Sequence, residues 1–182
     1  VDADFSGEVE HTRSTSGAIL VLWGPKDTWV PLAWLTKRQT ATSRSTTESE
    51  VVALAYALFG EAIPQIEIWN LLLGRSVHLR IMEDNQACIK VCEAGYSPKL
   101  RHITRHHKVN LGSIKETIDD DDITLEHCAT EDQAADISTK ALQPQKWPGK
   151  WNPGALWSPE DEDSARRGAG VLDFAREIGV DV

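Results

Sequence analysis

Residues 77–95, VHLRIMEDNQACIKVCEAG, decide the fold. Val77, Leu79 and Ile81 alternate with polar neighbours, which predicts a half-buried strand. The strand stops at Glu83-Asp84, and Asn85 to Ala94 then reads as a helix halted by Gly95. An acid where a strand gives way to a helix stands where open α/β sheets bind ligands. Upstream, Ser45-Thr46-Thr47-Glu48 is a capping box, a hydroxyl with a Glu three residues on. It predicts a helix carrying Val51, Val52, Ala55, Leu58 and Phe59, kinked or split at Pro64 and ended by Gly74. Before it, a short segment VDADFSGEV ending in a Gly turn, then Ala18–Trp23 and Trp29–Leu35, read as an antiparallel meander, with turns at Arg13–Gly17 and Gly24–Asp27. Downstream come a helical stretch, Leu100 to Ile118, interrupted at Gly112, then a strand, Ile123 to Cys128, and a helix, Glu131 to Leu142. A hairpin followed by alternating strands and helices predicts an α/β fold with a mixed sheet.

The chain has 182 residues, 41% of them hydrophobic, so one domain can bury a core. No apolar run approaches the ~20 residues of a membrane span, and no signal peptide is visible. Cys88, Cys92 and Cys128 are odd in number and lack a framework spacing, as expected of free thiols in a reducing compartment. The chain begins at Val1 with a motif already under way, so it is expected to be a piece of something longer, cut just inside a strand. From Gln143 the texture changes: Pro144, Pro148, Pro153 and Pro159 punctuate a segment holding Trp147, Trp151 and Trp157. We expect 1–142 to form the domain and 143–182 a partly disordered appendage. Its Trp residues read as packing anchors or as a binding surface.

Four acids stand in separate frames: Asp2 in VDADFSG, Glu50 in STTESEVVAL, Asp84 in IMEDNQACI and Asp136 in EDQAADISTK. The layout of strand, helix start, strand end and helix can bring them to one point. Clustered carboxylates repel and are costly to desolvate, so they make sense around divalent cations. The chemistry this suggests is phosphodiester hydrolysis with two Mg²⁺ about 4 Å apart. Asp2 and Asp4 share a strand face, and one ligand from the pair suffices. Glu48 and Glu50 lie about 200° apart on a helix, and Glu48 already serves the cap, which leaves Glu50 as the ligand. The plain alternative makes all of these ordinary surface acids. A net charge of −9, from 19 basic and 28 acidic residues, runs against nucleic-acid binding. Two features soften this: metal-ligand acids are neutralised in use, and Asp119, Asp120, Asp121 and Asp122 lie together in what reads as a turn; basic residues also concentrate between Lys99 and Lys108.

The stretches DADFSGE, RSTSG, WLTKRQTATSRSTTESEVVAL, EDNQACI, KLRHITRHHKVN and ATEDQAADISTKAL occur in that order over residues 1–142. Together they resemble the ribonuclease H domain of copia-type retrotransposon Pol polyproteins. The resemblance implies a ribonuclease H-like fold: a five-stranded mixed sheet, three antiparallel then parallel strands, flanked by helices, here with its first strand truncated. It implies hydrolysis of the RNA strand of RNA–DNA hybrids with two Mg²⁺, for which Mn²⁺ can substitute. It also implies an upstream reverse transcriptase in the same polyprotein, no membrane partner, and a cytoplasmic location, within a retroelement particle, or a nuclear one. The catalytic metal ligands would be Asp2, Glu50, Asp84 and Asp136. Contacts to the hybrid would come from Thr46, Thr47 and Gln86. The basic segment, with Arg101, Arg105 and Lys108, either tracks phosphates or is a solvated helix face. His127, near the last acid, is a candidate for assisting the leaving step or a structural residue.

Two rivals remain open on sequence. Cys88-x₃-Cys92 followed by His102-x₃-His106 superficially matches a zinc site, against which stands burial of both thiols in a helix face. A decayed or domesticated copy could keep the fold and lose activity. Neither a Gly-x-Ser-x-Gly nucleophile elbow nor a P-loop occurs.

Overall fold

The computed structural model describes residues 1–7, 12–24 and 28–140. The elements are β1 (Asp2–Asp4), β2 (Thr15–Trp23), β3 (Trp29–Arg38), α1 (Thr46–Ala57), α2 (Ile63–Leu73), β4 (Leu79–Glu83), α3 (Gln86–Ala94), α4 (Ile103–His106), α5 (Leu111–Ile118), β5 (Ile123–His127) and α6 (Asp136–Thr139). The appendage expected at 143–182 lies outside the described residues.

The class is α/β, as expected. The five strands form two ladders, an antiparallel β1-β2-β3 sheet and a parallel β4-β5 pair. Strand number and direction agree with the expected mixed sheet, but its continuity does not. β1 is only three residues long and pairs along β2, with Asp2 opposite Gly17. Toward β4 it offers one bond, from the Val1 nitrogen to the Met82 carbonyl at 2.8 Å. One bond makes no ladder.

A single hydrophobic cluster holds the two ladders together. Val51, Val52, Leu54 and Leu58 meet Leu79 and Ile81 of β4, Cys88 and Cys92 of α3, Ile103, Ile114 and Ile123. Leu54 and Ile114 are completely buried, and each such side chain contributes about 1.5–3 kcal/mol. α1 is the hub because Glu48 to Ala55 are buried on every face.

Half of the capping box forms as expected: Ser45 Oγ accepts from Glu48 N at 3.1 Å, but Glu48 Oε2 reaches one residue further back and accepts from Arg44 N at 2.9 Å rather than from Ser45 N. Near Pro64 the helix does not break. It widens into a π turn at Leu58–Ala62, relieving the missing N–H and the clash of the proline ring with the preceding turn. The continuous rod from Thr46 to Leu73 is long and apolar enough to cross a membrane by length and composition, a departure from the expectation of no such segment. Its first half is the centre of the core, whereas α2 buries no residue and leaves Leu71 and Leu72 exposed. Gly74 ends it at φ 62°.

Three local expectations are corrected. Thr15–Gly17 is strand rather than turn. Its glycine serves a close approach, because a Cβ there would lie 2.5 Å from Thr139 Cγ2 and 2.9 Å from Ser138 Cβ. The helical stretch after Leu100 breaks at Lys108–Asn110, not at Gly112. Lys108 adopts φ 61°, and Asn110 caps α5 by accepting from Gly112 N at 2.9 Å. The expected helix at Glu131–Leu142 is a 3₁₀ turn at Thr130–Asp132 and the one-turn α6, within the described residues.

Gly17→Ala is expected to push α6 off β2 and cost about 1–3 kcal/mol. Urea denaturation measures it, and an unchanged midpoint would show that α6 does not depend on this contact.

Candidate metal centre

Asp2, Glu50 and Asp84 come together. Each offers a carboxylate oxygen within 4.8 Å of the others, the one such group of metal-ligating type among the described residues. The three arrive on β1, on the second turn of α1 and on the residue after β4. They open onto a depression of about 680 Å³ also lined by Thr46, Gln86 and Lys140. Asp2 and Glu50 are buried. Glu50 Oε2 has no hydrogen-bond partner. A buried carboxylate oxygen left unpaired is costly unless a cation approaches it, so the donor set suits a hard divalent ion.

Two buried glutamines set this geometry. Gln39 Nε2 donates to Ser16 Oγ at 3.0 Å and to the Ser49 carbonyl at 2.9 Å, while its Oε1 accepts from Ser43 Oγ at 2.8 Å. It pins α1 to β2 one residue from Glu50. Gln133 Nε2 donates to the Val1 carbonyl at 2.6 Å, pinning the approach to α6 beside Asp2. Sequence reasoning missed both, because a glutamine in a loop carries no local sign of burial.

The electrostatics follow from crowding. Burial, then the charges of Glu83, Asp2 and Asp84, push Glu50 up to about 10. Burial also raises Asp2, against a hydrogen bond from Thr139 and the charge of Lys140. Glu83, adjacent to Asp84 and fully buried, is pushed up to about 7, chiefly by desolvation. It was not anticipated as part of the acidic cluster. The alternation of β4 that buries Leu79 and Ile81 also turns Glu83 inward.

The remaining candidates divide. Asp136 is buried and stands one step back, its Oδ1 accepting from Lys140 Nζ, which also lies 3.3 Å from Asp2 Oδ1. Asp4 lies with its carboxylate folded over Gly7. Thr46 and Gln86 line the depression, whereas Thr47 does not. Glu48 turns away as expected: its Oε1 lies 2.9 Å from His102 Nε2 and 3.2 Å from His107 Nε2. Arg101, Arg105 and Lys108 are exposed on the segment that this contact ties to the start of α1. His127 is exposed at the end of β5 and does not line the depression. The zinc rival fails. Cys88 and Cys92 are fully buried in the core while His102 sits on Glu48, and these side chains form no ligand group among the described residues.

These shifts give a signed pH dependence. Glu50 and Glu83 keep protons in the folded state that ordinary glutamates, near 4.5, lose on unfolding. From about pH 6.5 to about pH 8.5 the native state therefore binds more protons, and stability without divalent ions falls as pH rises. That window lies above the ordinary histidine value, so the lowered His107 does not oppose the trend. A divalent ion held by these acids would need them ionised and would stabilise more at the alkaline end. Melting curves in chelator and in Mg²⁺ check this; a melting temperature that rises with pH in chelator would contradict it.

Over 153 residues the chain is 26% identical to the "Retrovirus-related Pol polyprotein from transposon TNT 1-94" of Nicotiana tabacum. The match takes in 80% of this chain and 10% of that polyprotein, so the chain spans about a tenth of its relative's length. No family model matches the chain, and no solved structure matches it. The likeness supports an origin in a retrotransposon Pol polyprotein.

Proposed function

We propose that the protein is a copia-type ribonuclease H domain that hydrolyses the RNA strand of RNA–DNA hybrids, working beside a reverse transcriptase in one polyprotein. The observation that carries this reading is the meeting of Asp2, Glu50 and Asp84 at an open depression, with one buried Glu50 oxygen unpaired. The Pol likeness and the order of the motifs support it.

In this reading Asp2, Glu50 and Asp84 hold Mg²⁺, and Asp136 adds negative charge from behind Asp2. When bound, the metal supplies an activated water and charge stabilisation at the leaving 3′ oxygen. The chain's own residues do the rest. Gln39 and Gln133 keep the carboxylates in place before substrate arrives, so little reorganisation is left for the reaction. Thr46, exposed at the start of α1, and Gln86, exposed at the start of α3, flank the depression and can meet the sugar edge of a hybrid. Contacts to 2′-hydroxyls there would select RNA over DNA. Arg101, Arg105 and Lys108 would continue the path along phosphates, an electrostatic contribution that weakens with salt.

Asp84→Asn keeps the shape and removes a ligand charge. Hybrid cleavage with Mg²⁺ is expected to fall at least ~100-fold, about 2.7 kcal/mol in the barrier. Near-normal turnover would remove Asp84 from the ligand set. A folded wild-type protein that binds hybrids without cutting them would favour the decayed or domesticated reading.

The two helix acids separate in the same assay. Glu50→Gln is expected to abolish cleavage with the fold intact, and to remove the stabilisation by Mg²⁺. Glu48→Gln, which still accepts from Arg44 N, is expected to keep cleavage. Reversed phenotypes would show that the other face of α1 meets the substrate.

A further inference from the structure

Lys140 is the basic side chain that lines the depression, and the proposed chemistry leaves it without a role. It follows α6, and its backbone N–H caps that turn by donating to the Asp136 carbonyl at 2.9 Å. Its Nζ donates to Asp136 Oδ1 and lies 3.3 Å from Asp2 Oδ1. Thr139 Oγ1 donates to the other Asp2 oxygen. Both oxygens of Asp2 are thus engaged by consecutive residues at the end of α6. Glu50 Oε2, buried beside them, has no partner. The cluster therefore falls into two halves of different character. One half, between Asp2 and Asp136, already contains a cation. The other, facing Glu50 and Asp84, contains an unpaired carboxylate oxygen. The Lys140 side chain is 38% exposed. It can leave for water by rotating its stem, without moving the backbone.

We infer that the Lys140 ammonium serves as a built-in cation between Asp2 and Asp136, so that the folded protein takes one divalent ion at Asp2, Glu50 and Asp84, and a second only when Lys140 is displaced. The inference rests on the metal-centre reading proposed above. A like charge at that position repels an incoming divalent ion and occupies the oxygens it needs. Metal loading is then stepwise, and Lys140 is a positioning residue that sets the order: the first ion meets an open corner, and the second must evict an ammonium. Without substrate the second step is weak. A hybrid would ease it by adding phosphate oxygens as ligands and as a new partner for the released lysine.

The test is calorimetric titration of the full chain with Mn²⁺, without nucleic acid. The wild type is expected to bind one ion, with a second at least about tenfold weaker, since a cation in place opposes it. Lys140→Met removes the charge and keeps the stem, and is expected to bind the second ion at least about tenfold more tightly than the wild type does. Lys140→Gln carries the same expectation should the Met variant fail to fold. Lys140→Arg, which keeps a cation, is expected to restore the one-ion isotherm, an outcome that a purely packing role for the side chain would not produce. Isotherms of wild type and both neutral variants that coincide with binding present would overturn the role of Lys140 and leave the metal centre standing. Absence of Mn²⁺ binding in every variant, with circular dichroism showing folded protein, would overturn the metal centre and this inference together.

Discussion

Taking carboxylates out of water is the constraint on which this structure turns. Asp2, Glu50, Glu83 and Asp136 are all buried, and Asp84 half-buried, at one end of the core. Each such group destabilises the folded state unless it keeps its proton, gains a partner or meets a cation. Two of these routes are in place: Glu50 and Glu83 favour the protonated form, and Asp2 and Asp136 gather around Lys140. The third, a cation at the Glu50 corner, belongs to the proposed metal reading.

The rest of the fold holds that arrangement against its own repulsion. α1 is packed nearly all round, so Glu50 cannot retreat by rotating the helix. The Gln39 bonds hold α1 against β2 beside Glu50, and Gly17 lets α6 approach β2 closely enough for Thr139 and Lys140 to reach Asp2. The Glu48–His102–His107 contact fastens the basic segment to the same helix start. The carboxylates are thus held by buried contacts, while the depression in front of them is open. Left-handed backbone outside glycine occurs, among the described residues, at Ser6, Thr12 and Lys108.

Much of this was legible residue by residue. The Ser45 cap of α1, the Asn85–Gly95 bracket around α3 and the alternation of β4 each rest on local geometry, and each formed as expected. The choice of Glu50 over Glu48 follows from helix periodicity, and their side chains do part company. What failed depended on distant partners. Gly17 reads as a turn until α6 is laid across it, and the stretch from Glu131 reads as a longer helix although Gln133 turns inward to bond the Val1 carbonyl. The five strands fall into two ladders because pairing between β1 and β4 is a contact between distant segments that neither strand's own pattern encodes.

The sequence alone determined the α/β class, the element types around each acid, and which acids can share a point, because periodicity and capping are local properties of the chain. Only the tertiary structure decided that three of the four acids meet directly, that Asp136 reaches them through Lys140, and that Glu83 joins them from beneath. It also decided that the cysteines and histidines of the apparent zinc pattern go separate ways. These outcomes depend on which side chains lose their water together. Desolvation belongs to the packed assembly and has no value for a residue read in its own frame.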